Sequence, residues 1–303
     1  MTFLGTSSAA PTRNRGLPAI AVQREGEVVI LDCGEGIQRQ VINLGVGLNK
    51  ETTILVTHLH GDHVTGLLGL IQTMSLAQRS KPLVIVAPRP LFKWLQVTSE
   101  LLNVGLTFKI EFVPAKLGRI LKTKGFVVRG TKAVHSVEAF SYVLEEKTRA
   151  GVFHPERAKA LGIPEGKLWS RLQRGRKVVV NGKTIYPQEV VGNPRPGRSI
   201  GYSGDTRPSA RFSRFFSGCN LLIFDSTFRG EDRDKAIERK HSTCLEAATT
   251  AKNARVEKLV LTHFSARYRS VSAMVREARG IFPNTIAAHD GLSLTVDYPI
   301  ESH

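Results

Sequence analysis

Residues 57–64 of the chain read T-H-L-H-G-D-H-V, with three histidines and an aspartate inside six positions. The run follows residues 52–56, a β-branched apolar stretch with the composition of a buried strand. A strand that stops there leaves His58, His60, Asp62 and His63 on one loop at a sheet edge. Imidazole and carboxylate donors suit zinc at about 2.0–2.2 Å, and two ions about 3.5–4 Å apart form a clamp for phosphoryl chemistry. Lone histidines are usually incidental. Four donors at this density after a strand point to a metal site.

The rest of the chain alternates short strands with helices, which predicts an α/β fold. Strands are expected at 19–23 and 28–32 around a turn with Gly26 at its tip, then at 52–56, 83–87 and 109–113. A short helix fits Val41, Ile42 and Leu44, and longer ones fit 65–78 and 90–102. Residues 126–129 and 140–144 read as strands bracketing His135. Towards the C-terminus, strands are expected at 199–203, 221–225, 258–261, 286–288 and 292–296, with helices at 211–216, 244–253 and 270–280. His135, Asp205 and His263 each fall where a strand stops, so they can join the first four donors at one sheet edge. Seven ligands (His58, His60, Asp62, His63, His135, Asp205 and His263) suit two ions. Asp205 is the natural bridge, because a carboxylate has two oxygens to share.

Charge speaks to the partner. The formal net charge over 303 residues is +17, and Lys and Arg that neutralise phosphates gain affinity by releasing counterions. Residues 147–198 hold twelve Lys or Arg against three Glu, a net +9 over 52 residues punctuated by Gly and Pro. This stretch reads as an inserted basic arm with only short structured pieces. Cys33, Cys219 and Cys244 lack paired spacing and fit reduced thiols inside a cell. No apolar run of about 18 residues and no leader-like N-terminal segment is seen, so a cytoplasmic protein without membrane contact is expected.

The H-x-H-x-D-H run with a distant His, Asp and His resembles the metallo-β-lactamase superfamily. Within it the chain is similar to the ribonuclease Z family of tRNA 3′-end processing endonucleases. The resemblance is carried by F-L-G-T-S-S at 3–8, L-D-C-G-E-G at 31–36, G-D-T-R-P at 204–208, D-S-T-F at 225–228, H-S-T at 241–243 and H-F-S-A-R-Y at 263–268, together with the basic insertion. It implies a four-layer αβ/βα sandwich, one catalytic domain over 1–303 with an arm at about 147–198, two Zn²⁺ per chain, precursor tRNA as substrate, and a homodimer. Removal of the 3′ trailer after the discriminator base, leaving a 3′-hydroxyl, is the implied activity. Asp62 is placed to ligate and to hold the water's proton. His241 lies before a helix start and could protonate the departing oxygen. Ser265 and Arg267 could contact phosphate. Many members carry Glu where this chain has Asp225. Two alternatives remain open: a phosphodiesterase or arylsulfatase of the same fold acting on small molecules, and a non-catalytic RNA-binding protein.

Overall fold

The computed structural model describes residues 1–298. The chain divides into two compact units, Met1–Glu145 with Ser199–Asp297, and Glu146–Arg198 with Tyr298. The larger unit contains two large sheets and a two-stranded parallel pairing of Ser7–Ser8 with Phe264–Ser265. The first has six strands in the order Thr2–Gly5, Ala19–Arg24, Glu27–Leu31, Glu51–Leu55, Leu83–Ala87 and Ile110–Pro114, parallel from Glu27–Leu31 onward. The second has seven, in the order Thr285–Ala287, Lys258–Thr262, Leu221–Asp225, Ser199–Tyr202, Phe140–Glu146, Phe126–Lys132 and Gly118–Lys122. Its first four strands are parallel.

Three cores stack these sheets into four layers. Because strand side chains alternate faces, Val29, Leu31, Leu55 and Val86 point to one side of the first sheet and meet Tyr142, Leu144, Ile223 and Val260 of the second. Val28, Ile30, Ile54 and Ile85 point the other way, onto the helices Ile37–Asn43, Gly61–Leu76 and Pro90–Leu101. On the second sheet, Leu222, Phe224, Leu259 and Leu261 turn outward onto Ala210–Phe215, Cys244–Ala254 and Ser272–Arg279. Each fully buried Val, Leu or Ile contributes about 1.5–3 kcal/mol. Strands covered on both faces must therefore read as unbroken apolar runs, as these do.

Parallel pairing has a functional consequence: it brings the C-terminal ends of Glu27–Leu31 and Glu51–Leu55 to one edge, and likewise those of Ser199–Tyr202, Leu221–Asp225 and Lys258–Thr262. Two tyrosines tie the sheets together there. Tyr142 donates to Val56 O at 2.7 Å and Tyr202 to Asp32 Oδ2 at 2.7 Å.

Some elements differ from expectation. The long helix starts at Gly61, so Asp62 and His63 lie in its first turn rather than on a free loop. The close packing of that turn demands a glycine at 66, where a Cβ would stand 2.0 Å from Gly34 O. Residues 292–296 form no strand; the segment makes one bridge, Ser293 to Thr2. Its alternating pattern instead reflects Leu292, Leu294 and Val296 packing on the central core. The strand Gly118–Lys122 and the helix Arg233–Arg239 were not foreseen, because both are polar and mostly solvated.

The smaller unit is better ordered than its composition implies. Helices Pro155–Ala160 and Lys167–Gln173 and a hairpin of Val178–Val180 with Lys183–Ile185 enclose Ala158, Ile163, Leu172, Val178, Ile185 and Val190. The hairpin turns on Asn181-Gly182, both at positive φ (49° and 77°), the conformation that an Asn-Gly turn favours. Phe153 and Trp169 pack at 5.1 Å. Within this unit Arg198 forms a forked pair with Glu146, at 2.8 and 2.6 Å.

Candidate metal centre

The sheet edge gathers all seven predicted ligands. His58, His60, His135 and Asp205 form one group, and Asp62, His63, Asp205 and His263 another. Within each group the nearest donor atoms lie within 4.8 Å of one another, and Asp205 belongs to both. His58 and His60 follow the strand Glu51–Leu55, and Asp205 follows Ser199–Tyr202 through Gly204. Gly204 has φ +57°, and a Cβ there would lie 2.7 Å from Thr57 Cγ2, so the two strand ends close against each other only with glycine. His263 ends Lys258–Thr262 with φ 63°, and Asp32 ends Glu27–Leu31 with φ 58°. Left-handed backbone at non-glycine residues costs about 1–3 kcal/mol, and such strain concentrates at functional sites.

Hydrogen bonds behind the rings fix where their lone pairs point. His63 Nδ1 donates to Asp32 Oδ2 at 2.8 Å, and His135 Nδ1 donates to Lys240 O at 3.0 Å. The Thr57 hydroxyl donates to Asp32 Oδ2 at 2.9 Å, so it accepts from His58 Nδ1 at 2.9 Å. In the same way Thr227 Oγ1 donates to Asp225 Oδ1 at 2.7 Å and accepts from His263 Nδ1 at 2.9 Å. In the neutral rings Nε2 of all four histidines is then an acceptor. Those nitrogens face one another. His58 Nε2 and His135 Nε2 each lie 3.0 Å from His60 Nδ1, and His63 Nε2 lies 3.3 Å from His263 Nε2. One His60 proton can satisfy only one of its two neighbours. The buried Asp205 Oδ1 has no hydrogen-bond partner. Converging lone pairs beside an unsatisfied carboxylate oxygen form the donor set of a cation site, and the residues present fit a divalent metal.

The electrostatics agree. Burial raises Asp205, but His263, His63 and His241 outweigh it and hold the carboxyl well below the usual range. Asp62 is likewise lowered, its burial overcome by His263 and His63. Burial and neighbouring rings push His58 down, and burial does the same to His60 and His135. Burial also opposes charge at His63, yet Asp205 and Asp32 pull it well upward, so positive charge is demanded between those carboxylates.

His241 sits beside this centre. Its Nδ1 lies 3.0 Å from Asp225 Oδ2 and 3.8 Å from Asp205 Oδ2, and its ring stacks on His263 at 5.2 Å. Burial lowers His241, but Asp225 and Asp205 dominate and push it up to about 9. Asp225, Asp205, His241 and His263 also make a third donor group. Ser265 N donates to Thr227 O at 3.3 Å, and Arg267 Nη1 lies 3.9 Å from Asp232 Oδ1. Arg267 Nε donates to Ser265 Oγ at 3.1 Å, and the exposed guanidinium lies over Phe228.

The sequence reading missed Asp32 and the roles of Thr57, Thr227 and Asp225. The available signal was a carboxylate closing an apolar strand, which Asp32 and Asp225 share with Asp205's neighbourhood. His154 pairs with Glu156 at 3.1 Å and His289 bonds Asp290 O at 3.1 Å, and neither belongs to a donor group; His303 lies outside the described residues.

Comparison with known proteins identifies the family of the chain. Residues 1–144 match the family model described as anti-Pycsar protein Apyc1. Over 296 residues the chain is 48% identical to ribonuclease Z of Nitrosopumilus maritimus strain SCM1, spanning 98% of this chain and 99% of that protein. The chain belongs to the ribonuclease Z family. The crystal structure of the short form of human tRNase Z aligns with a TM-score of 0.72 at 28% identity, covering 99% of each chain. YhfI of Bacillus subtilis, a metallo-β-lactamase fold protein, aligns at 0.69 with 17% identity over 96% of each chain, which shows the shared fold. In this ribonuclease Z family member the two donor groups therefore lie on a metallo-β-lactamase scaffold. No helix among the described residues is long and apolar enough to cross a membrane.

Proposed function

We propose that this chain is an endoribonuclease that cuts precursor tRNA after the discriminator base, leaving a 3′-hydroxyl on the tRNA and a 5′-phosphate on the trailer. The observation that carries the reading is the Asp205-centred pair of donor groups with its ring tautomers fixed from behind. Two zinc ions per chain would be held by His58, His60, His135 and Asp205 and by Asp62, His63, Asp205 and His263; imidazole with carboxylate is a donor set zinc favours. When bound, they neutralise the phosphoryl oxygens and acidify the attacking water.

The protein's own groups do the rest. Asp62, kept ionised and fixed by the Ala9 N–H at 2.8 Å, receives a proton from the water as its oxygen bonds to phosphorus. The bond from phosphorus to the tRNA 3′-oxygen breaks, and that oxygen takes the Nε2 proton of His241. Asp225 holds the opposite nitrogen and stabilises the charged ring before transfer. Ser265 and Arg267 follow His263 in sequence and are assigned to a phosphate oxygen upstream or downstream of the cut. Residues 147–198 form an arm inserted in a single catalytic domain, and its charge grips the tRNA body. A homodimer is implied by the family resemblance, and the cytoplasm by three cysteines without paired spacing; sedimentation of the purified chain tests the first.

Cleavage of end-labelled precursor tRNA, with and without chelator, tests the proposal. A single cut after the discriminator base that disappears on chelation and returns with zinc is expected. Cleavage undiminished by chelation, or cuts scattered along the chain, would reject it.

A further inference from the structure

Beyond the residues that face the centre, the G-D-T-R-P segment carries an arginine whose partners are unusual. Arg207 Nη1 donates both to the main-chain oxygen of His241 at 2.6 Å and to Glu246 Oε2 at 2.8 Å, and Nη2 donates to Glu246 Oε1. The two side chains are only 13% and 17% exposed. Glu246 also accepts from Thr243 N at 2.9 Å, in a capping box that starts the helix Cys244–Ala254. On its other side His241 N donates to Ala236 O at 2.9 Å. The main chain of the residue carrying the imidazole is thus gripped at both its polar groups.

We infer that Arg207, held by Glu246, is a positioning residue for His241 in the cleavage step; the inference rests on the proton-donor role proposed above. Arg207 is anchored from behind, since its own N–H donates to Val134 O at 2.8 Å. The neighbouring Thr206 N–H donates to Asp225 Oδ2 at 3.0 Å, and Ser242 Oγ donates to Thr206 O at 2.5 Å. One stretch, 205–207, therefore sets Asp205, the Asp225 carboxylate and the His241 peptide in a common frame. A guanidinium suits the task because its planar fork binds a carboxylate through two nitrogens and still reaches a carbonyl, which an ammonium does not. A buried ion pair adds little stability over an apolar pair of similar volume, so folding alone does not call for it. Proton donation needs His241 within about 2.6–3.2 Å of the leaving oxygen, and a displacement of about 1 Å costs roughly 10²-fold.

A double-mutant cycle tests this. Arg207→Ala, His241→Ala and the double variant are compared in single-turnover cleavage of precursor tRNA at saturating enzyme, alongside precursor binding, zinc content and hydrolysis of bis(p-nitrophenyl) phosphate. Arg207→Ala should slow tRNA cleavage by roughly 10–10²-fold, with Kd and zinc content unchanged, and the double variant should be no slower than His241→Ala. The ester, whose leaving group needs no proton, should lose far less than tRNA. Glu246→Gln keeps the capping box but surrenders the charge holding Arg207, and should show the same non-additivity with a smaller loss. Arg207→Lys should not restore the rate. Multiplying losses in the double variant, weakened precursor binding, lost zinc, or equal losses on ester and tRNA would each overturn the inference. If His241→Ala is slow while Arg207→Ala and Glu246→Gln cleave at the parent rate, the inference alone fails. If His241→Ala itself cleaves at the parent rate, the proton-donor reading falls and takes this one with it.

Discussion

The metal centre and the basic arm solve opposite problems. Behind the centre the supporting polar groups have fixed partners: Asp32 alone receives bonds from Thr57, His63 and Tyr202, and it is fully buried. In the arm nine of the twelve Lys and Arg are exposed, carried on a small core of six buried apolar residues. Chemistry at a phosphorus atom needs donors held to fractions of an ångström, so the larger unit commits strands, tautomers and strained backbone to them. Attraction for a polyanion needs charge density and tolerates movement, so the arm needs only enough core to keep its charges together. Damage should follow suit: single changes ruin the centre, whereas the arm should yield gradually.

The largest single effect is expected at Asp205, the residue shared by both donor groups. Asp205→Ala should abolish cleavage and reduce zinc content more than loss of any one histidine ligand, as read by elemental analysis of purified protein. A variant that keeps both ions would break the claim that this carboxylate joins the two sites. Next comes His241→Ala, which should cut the chemical step by roughly 10²–10⁴-fold while zinc content and precursor binding hold. Lost zinc in that variant would make His241 a ligand instead.

A smaller effect should appear in the pH profile. Asp225 helps hold the folded His241 pKa above its ordinary value, and a proton donor works only when charged. Activity that depends on it is present below the His241 pKa and lost as pH rises through it. Asp225→Asn removes the carboxylate charge and should move the alkaline decline of kcat to lower pH. An unmoved decline would detach His241 from the pH dependence. The least effect belongs to the arm taken one residue at a time. Arg176→Ala or Lys177→Ala should leave kcat alone and flatten the log–log salt dependence of binding by at most about 0.7–0.9.

How much of this could be read in the sequence also differs between the regions. The strands covered on both faces were legible, since Val28–Leu31 and Leu221–Phe224 must be apolar throughout. The seven candidate ligands were legible because their residue types are dense or sit where apolar runs stop. What lies behind them was not. The bond from His63 to Asp32 spans 31 residues and that from His241 to Asp225 spans 16, and residue type alone carries no direction. Asp225 stood out only as a departure from the family pattern, although the structure makes it the acceptor for Thr206, Thr227 and His241. The arm's core escaped notice because its apolar residues are scattered singly among Lys, Arg, Gly and Pro.

The separation of chemistry from grip is tested most directly by deleting residues 151–196, which removes most of the arm's charge and none of the seven proposed ligands. Binding and cleavage of precursor tRNA are measured across a salt series, beside hydrolysis of bis(p-nitrophenyl) phosphate by the same preparation. The account predicts that tRNA binding collapses and its salt dependence flattens, while the ester is still hydrolysed. Equal loss on both substrates would make the arm a structural support for the centre, and unchanged tRNA cleavage would contradict the account outright.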